Sequence, residues 1–142
     1  MNLDNIVQEI ADLIADTVPT VRVFTYPPDQ LPVGVADAVF LDLGEVNYQE
    51  AFAAGLAMVD VTATVTVQMS DPAAAHKRMR ELLSSGTGED RSVVDAVMAG
   101  RTLDGLSGGM VLDRADPARV EIDGEARRLV CDLHMRIPAG RL

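Results

Sequence analysis

Val59-Asp60-Val61-Thr62-Ala63-Thr64-Val65-Thr66-Val67-Gln68-Met69 decides the fold of this chain. Apolar residues hold every odd position and Asp, Thr or Gln every even one, the period of a strand with one face on a core and the other on a polar layer. At ~3.3 Å per residue this strand extends about 36 Å, roughly twice the common length. A second stretch, Ala126 to Pro138, has the same character. Its Leu129, Cys131, Leu133, Met135 and Ile137 face one way, and Arg128, Val130, Asp132, His134 and Arg136 face the other.

Helical patterns flank these strands. Ile6, Ile10, Leu13 and Ile14 recur at helical spacing, widened by Leu3 and Val7, in a segment capped by Asn2 or Asp4 and ended before Pro19. Asp71-Pro72 opens a second helix, because the carboxylate accepts an orphan amide hydrogen and proline at the first position has none to lose. Ala75, Met79, Leu82 and Leu83 line its buried face. Ser92 with Asp95 starts a shorter helix through Val93, Val94 and Val97, closed by Gly100. Shorter strands are expected at Val21 to Tyr26, Ala38 to Leu43, Met110 to Arg114 and Arg119 to Asp123, the last joined to the final strand by an Asp123-Gly124 turn. Residues 44–56 show no clean period and are expected to form a long connection or mobile hairpin.

Three helices of this length cover one face of a sheet but not two. The expected fold class is therefore α+β: one twisted, mainly antiparallel five- to six-stranded sheet with about three helices packed on one face, in a single domain over residues 1–142. The other face is expected to stay open and polar.

The 142 residues are 48% hydrophobic and 24% charged, which excludes disordered, collagen-like and disulfide-scaffold proteins. Twelve Lys and Arg against 22 Asp and Glu give a net charge of −10. Residues 1–71 hold eleven acids and one base, Arg22, whereas residues 72–142 hold eleven of each. Such a surface repels nucleic acid and anionic lipid, although it suits a passage that DNA slides through without sticking. The single cysteine, Cys131, cannot pair within the chain, the two histidines fall short of a zinc ligand set, and no apolar run approaches the ~20 residues of a membrane span. Synthesis in a reducing cytoplasm, with no membrane partner and no cofactor or metal, is the expectation.

Motifs with chemical meaning are weak here. Gly105-Leu106-Ser107-Gly108-Gly109 fits the nucleophile-elbow pattern G-x-S-x-G, yet a helix precedes it and a strand follows, the reverse of what the elbow needs. Ser84-Ser85-Gly86-Thr87-Gly88 lacks the lysine of a phosphate loop and is followed by Glu89-Asp90, which would repel phosphate. His76 and His134 have no second ligand at metal spacing. Cys131 alternates with core residues, as a small buried hydrophobe does. The bases Lys77, Arg78, Arg80, Arg127 and Arg128 are not interleaved with aromatics, so they are expected in solvent or against acids of a neighbouring subunit. No catalytic constellation emerges, and the chain is not expected to be an enzyme.

In order, the acidic first helix, the strand ending in Tyr26-Pro27-Pro28-Asp29, the Glu45 to Phe52 stretch with Asn47-Tyr48, the long Val/Thr strand into Ser70-Asp71-Pro72, the helix ending in Leu82-Leu83, the Ser92-Val93 helix and the hairpin at Asp123-Gly124 form a recognisable series. It resembles the tail-terminator family of long-tailed bacteriophages, particularly those of actinobacterial hosts. The resemblance implies a virion protein of the tail or neck, made in the host cytoplasm: a homo-oligomeric ring of six copies at the head-proximal end of the tail tube. There it would stop addition of the major tail-tube protein and dock the head-completion or connector protein, while genomic DNA passes through. Asp60, Thr62, Thr64, Arg128, His134 and Arg136 are then the expected subunit or docking contacts. Two other readings remain open, a head-completion or neck connector protein and a small-molecule-binding or enzymatic α+β domain.

Overall fold

The computed structural model describes residues 2–32, 34–48, 57–85, 92–100, 102–103, 109–124 and 126–139. In chain order these form α1 (Leu3–Thr17), β1 (Arg22–Phe24), β2 (Asp37–Asn47), β3 (Ala57–Gln68), α2 (Pro72–Leu83), α3 (Val93–Ala99), β4 (Val111–Ala115), β5 (Arg119–Asp123) and β6 (Ala126–Ala139). Six strands make one open, mostly antiparallel sheet in the order β1-β2-β3-β6-β4, with β5 also paired to β6. The fold is α+β, with three helices among the described residues.

The alternating segments form the centre of the sheet. β3 and β6 pair from Ala57↔Ala139 to Gln68↔Arg128 without interruption. Val59, Val61, Ala63, Val65 and Val67 join Leu129, Cys131, Leu133, Met135 and Ile137 on one buried face. Ile6, Ile10 and Ile14 of α1, Ala75, Met79 and Leu82 of α2, and Val93 and Val97 of α3 belong to the same core. Each fully buried aliphatic side chain contributes roughly 1.5–3 kcal/mol relative to exposure, and the helices draw their stability from this apolar cover.

The helix starts follow their caps. Asn2 Oδ1 accepts the Asn5 amide at 3.2 Å, and the Asp71 carboxylate accepts that of Ala73 at 3.1 Å. Buried Ser92 accepts the Asp95 amide at 3.3 Å and directs its single hydroxyl proton to the carbonyls of Leu82 and Ser84, joining the end of α2 to the start of α3.

Two expectations need correction. β2 does not end at Leu43 but runs to Asn47. Its register shifts between Leu43 and Val46, so one extra residue there breaks the alternation that would have marked the strand. Gly44 permits the bulge, since a Cβ would stand 3.2 Å from the Asp60 carbonyl oxygen. Residues 49–56 of the ambiguous stretch lie outside the described residues, as do Gly86-Thr87-Gly88, Glu89-Asp90 and residues 105–108 of the G-x-S-x-G segment.

The second correction concerns the open face. β1, only three residues long, lies parallel to β2, pairing Arg22↔Ala38 to Phe24↔Phe40. Parallel neighbours require a crossover. With helices on one face, the chain between Phe24 and Asp37 crosses the other: Pro28, Asp29, Gln30 and Leu31 stand over Phe40, Thr66, Arg128 and Val130. Gln30 reaches the turn at Gly124, whose φ of +65° brings β5 back into β6. This strap covers the Thr66 and Val130 end of the polar face and leaves the Asp60 and Thr62 end uncovered.

Gly100 closes α3 against α1, where an added Cβ would overlap the side chain of Leu13. Gly100→Ala should therefore lower stability by about 1–3 kcal/mol, read from urea unfolding midpoints. In a Leu13→Ala background, which opens that space, the same change should cost much less.

Candidate functional site

The register of β3 and β6 puts five of the six expected contact residues on one side of the sheet, but only Asp60, Thr62, His134 and Arg136 reach solvent there; Thr64, expected as a contact, is 7% exposed and spends its hydroxyl on Asp132. Asp60 faces Arg136, Thr62 faces His134 and Thr64 faces Asp132, in successive rows on the side away from the helices. Arg136 Nε lies 3.4 Å from Asp60 Oδ1, an oxygen shielded from solvent with no hydrogen-bond partner among the described residues. Thr62 Oγ1 and His134 Nδ1 are 3.4 Å apart, and Thr64 donates to Asp132 Oδ1 at 2.8 Å.

The edge of the sheet adds a second tier. β4 and β5 run along the same side of β6 as one broken strand, with Asp116 at the break. Asp116 Oδ2 lies 2.8 Å from His134 Nε2, Arg114 Nε donates to Oδ1 at 3.3 Å, and the Asp116 amide donates to the Asp132 carbonyl at 2.9 Å. Arg119 bridges Glu121, at 2.8 Å, and Asp132, at 2.9 Å. These contacts hold the Arg119 guanidinium firmly charged, Glu121 contributing most. The hydrogen bond from His134 is the main cause that holds the Asp116 carboxyl below its usual range.

Asp116, His134 and Thr62 follow the acid, imidazole and hydroxyl order of a hydrolytic triad. Their setting does not suit the chemistry. Thr62 stands mid-strand, paired with Asp42 on one side and His134 on the other, so its neighbouring amides serve the sheet ladder and cannot converge on an oxyanion. The imidazole here is an ordered polar tie between β3, β6 and the strand break. Cys131, on the core side, is buried as its alternation predicts, and its thiol donates to the Asp116 carbonyl at 3.0 Å. Burial, foremost, raises its pKa, so it is not an activated thiolate.

Arg128 is not with the other five. It is 5% exposed and turns under the strap, where Nε donates to Thr66 Oγ1 at 2.7 Å, Nη1 to the Val35 carbonyl at 3.0 Å and Nη2 to the Ala36 carbonyl at 2.8 Å. Its place is internal: it ties β6, β3 and the end of the strap together. Beside it the strap roofs a cavity of about 220 Å³, walled by Phe40, Thr66, Glu121, Ile122 and Val130. Arg78 is also engaged within the chain. It reaches Asp37 at 2.7 Å and Thr20 at 2.9 Å, which anchors α2 to the start of β2 rather than to a neighbouring subunit.

Sequence reasoning placed Asp132 on the polar face without a role, and missed Asp116, Arg114 and Arg119 as its framework. A hint was available for Asp132, which alternates with His134. None was available for Asp116, because its role depends on how the break between β4 and β5 meets β6. Among the described residues no cluster of three His, Cys, Asp or Glu could hold a metal ion, and no helix is long and apolar enough to cross a membrane. No protein-family model matches the chain, and no curated protein matches it either.

Two outcomes test this geometry. Arg128→Met keeps the aliphatic stem but strips the buried Thr66 hydroxyl and the Val35 and Ala36 carbonyls of their donor, so unfolding free energy should fall by about 2–4 kcal/mol, with faster proteolysis within residues 28–36. Asp116 has a lowered folded pKa, so its contribution is complete above the usual carboxyl value of 3.8 and fades as pH falls through the lowered one. Asp116→Asn should therefore be less stable than the native chain near neutral pH. Denaturant midpoints should show that difference shrinking below pH 3.8.

Proposed function

We propose that this chain is a structural subunit of a long-tailed bacteriophage neck: a tail terminator that assembles as a ring of six copies on the head-proximal end of the tail tube. The observation that carries the reading is the uncovered end of the polar face, where Asp60, Thr62, His134 and Arg136 are held in rows by cross-strand partners. Side chains already fixed in place lose little conformational freedom when a partner docks. The face presents both charge signs, as a surface that meets another protein does. The element order that carries the family resemblance is present in the chain, with the Val/Thr strand at the middle of the sheet.

In this role the ring stops addition of the major tail-tube protein and offers the surface on which the head-completion protein docks. The net charge of −10 suits a channel through which genomic DNA must pass without being gripped. Asp4, Asp12 and Asp16 on the outer side of α1, with no base on that helix, contribute to this character. One observation favours the small-molecule reading instead, the cavity beneath the strap.

The test is assembly with and without the chain. Tail tubes polymerised with the purified protein should be of controlled length, with a ring at one end in negative-stain images, and tubes polymerised without it should vary in length. A ring that binds portal-side proteins but leaves tube length uncontrolled would identify a connector. A small molecule that raises the melting temperature of a persistent monomer, without any ring, would favour the binding domain.

A further inference from the structure

The outer edge of β5 has no neighbouring strand among the described residues, since β5 pairs only with β6. Edge strands are normally blunted by charge, proline or cover. β5 carries charge at Arg119, Glu121 and Asp123, but it also bares Val120, 45% exposed, and Ile122, 76% exposed. An edge with open backbone groups and bare apolar side chains invites another strand. Its charge pattern indicates which one.

Arg119 and Glu121 flank Val120 on the polar face of the strand. Two copies of β5 laid antiparallel about a two-fold axis at Val120 put Arg119 of each copy opposite Glu121 of the other, with Val120 against Val120. Neighbouring registers are penalised. Centring on Arg119 or on Glu121 brings that residue against its own copy, and like charges directly opposite are destabilising. The strand is thus self-complementary in one register, the condition for an isologous contact.

The rest of the fold leaves room for this pairing. The strap lies over the polar face of its own sheet, and because β4 precedes β5 along the same side of β6, β4 falls beside the partner's β5–β6 turn. The result would be one sheet continued through both copies, with helices on a common side. We infer that the free protein dimerises through antiparallel β5–β5 pairing about Val120, with crossed Arg119–Glu121 ion pairs. A five-residue edge contact is smaller than a standard protein interface, so the dimer is weak and concentration-dependent. It does not rest on the ring reading. A ring is built from head-to-tail contacts and this dimer from a two-fold one.

Sedimentation of the full chain over a wide concentration range tests the inference. The native protein should dimerise, less so at high salt. Arg119→Glu and Glu121→Arg, each of which makes the strand repel its own copy, should each weaken self-association about tenfold or more while circular dichroism stays native. An equimolar mixture of the two variants should dimerise again, because two acids at positions 119 and 121 of one strand then meet two bases at the same positions of the other. Val120→Cys should oxidise to a covalent dimer, since directly opposed strand residues lie within disulfide reach and the native Cys131 is buried. A native chain that stays monomeric throughout overturns the dimer and leaves the ring reading to its own test on tail tubes. So does a dimer indifferent to both charge reversals, or folded variants whose mixture remains monomeric.

Discussion

Twelve consecutive residue pairs between β3 and β6 set the register on which the other elements depend. Because side chains alternate at a period of two, a slip of one residue would turn the valines of β3 to solvent and its threonines and Asp60 toward the helices. No such slip is tolerable with a core on one side. The same pairing that buries Val59 through Val67 also brings Asp60 to Arg136, Thr62 to His134 and Thr64 to Asp132. Core and polar surface are two faces of one constraint, and the arrangement of the exposed face follows from the requirements of the buried one.

A second constraint comes from direction. β1 is parallel to β2, and a parallel neighbour cannot be reached by a tight turn. The resulting crossover is what roofs Thr66 and Val130. A roof over a polar face carries backbone carbonyls that lose water, and Arg128 supplies donors to those of Val35 and Ala36. Burying a guanidinium is costly unless its hydrogens are engaged, and here hydroxyl and carbonyl oxygens engage them. The strap and Arg128 therefore depend on each other.

Much of this was legible in the sequence where the signal is local. The alternation of Val59 to Met69, the Asp71-Pro72 helix start and the burial of Cys131 each depend on neighbours within a few positions. What was hidden depends on partners far along the chain. β2 continued past Leu43 because a bulge accommodated at Gly44 disguises its period. Arg128 looked like a surface residue because its partners lie 62 to 93 positions away and belong to a crossover whose existence depends on strand direction. Strand direction leaves no trace in hydrophobic periodicity. The candidate surface was likewise readable as a set of outward residues, but its framework of Asp116, Arg119 and Asp132 required the register of a broken edge strand.

The position of Cys131 has a practical consequence. Its thiol lies on the core side of β6 and is bonded to the carbonyl of Asp116, the residue at which the edge strand breaks. While β4, β5 and the helices remain seated, a modifying reagent cannot reach the sulfur, and burial keeps it in the unreactive thiol form. The sulfur becomes accessible when that joint lifts from β6 or when the core beneath the helices opens. The chain thus contains a natural clock for its own breathing: the rate of thiol labelling reports how often the layers around Cys131 part.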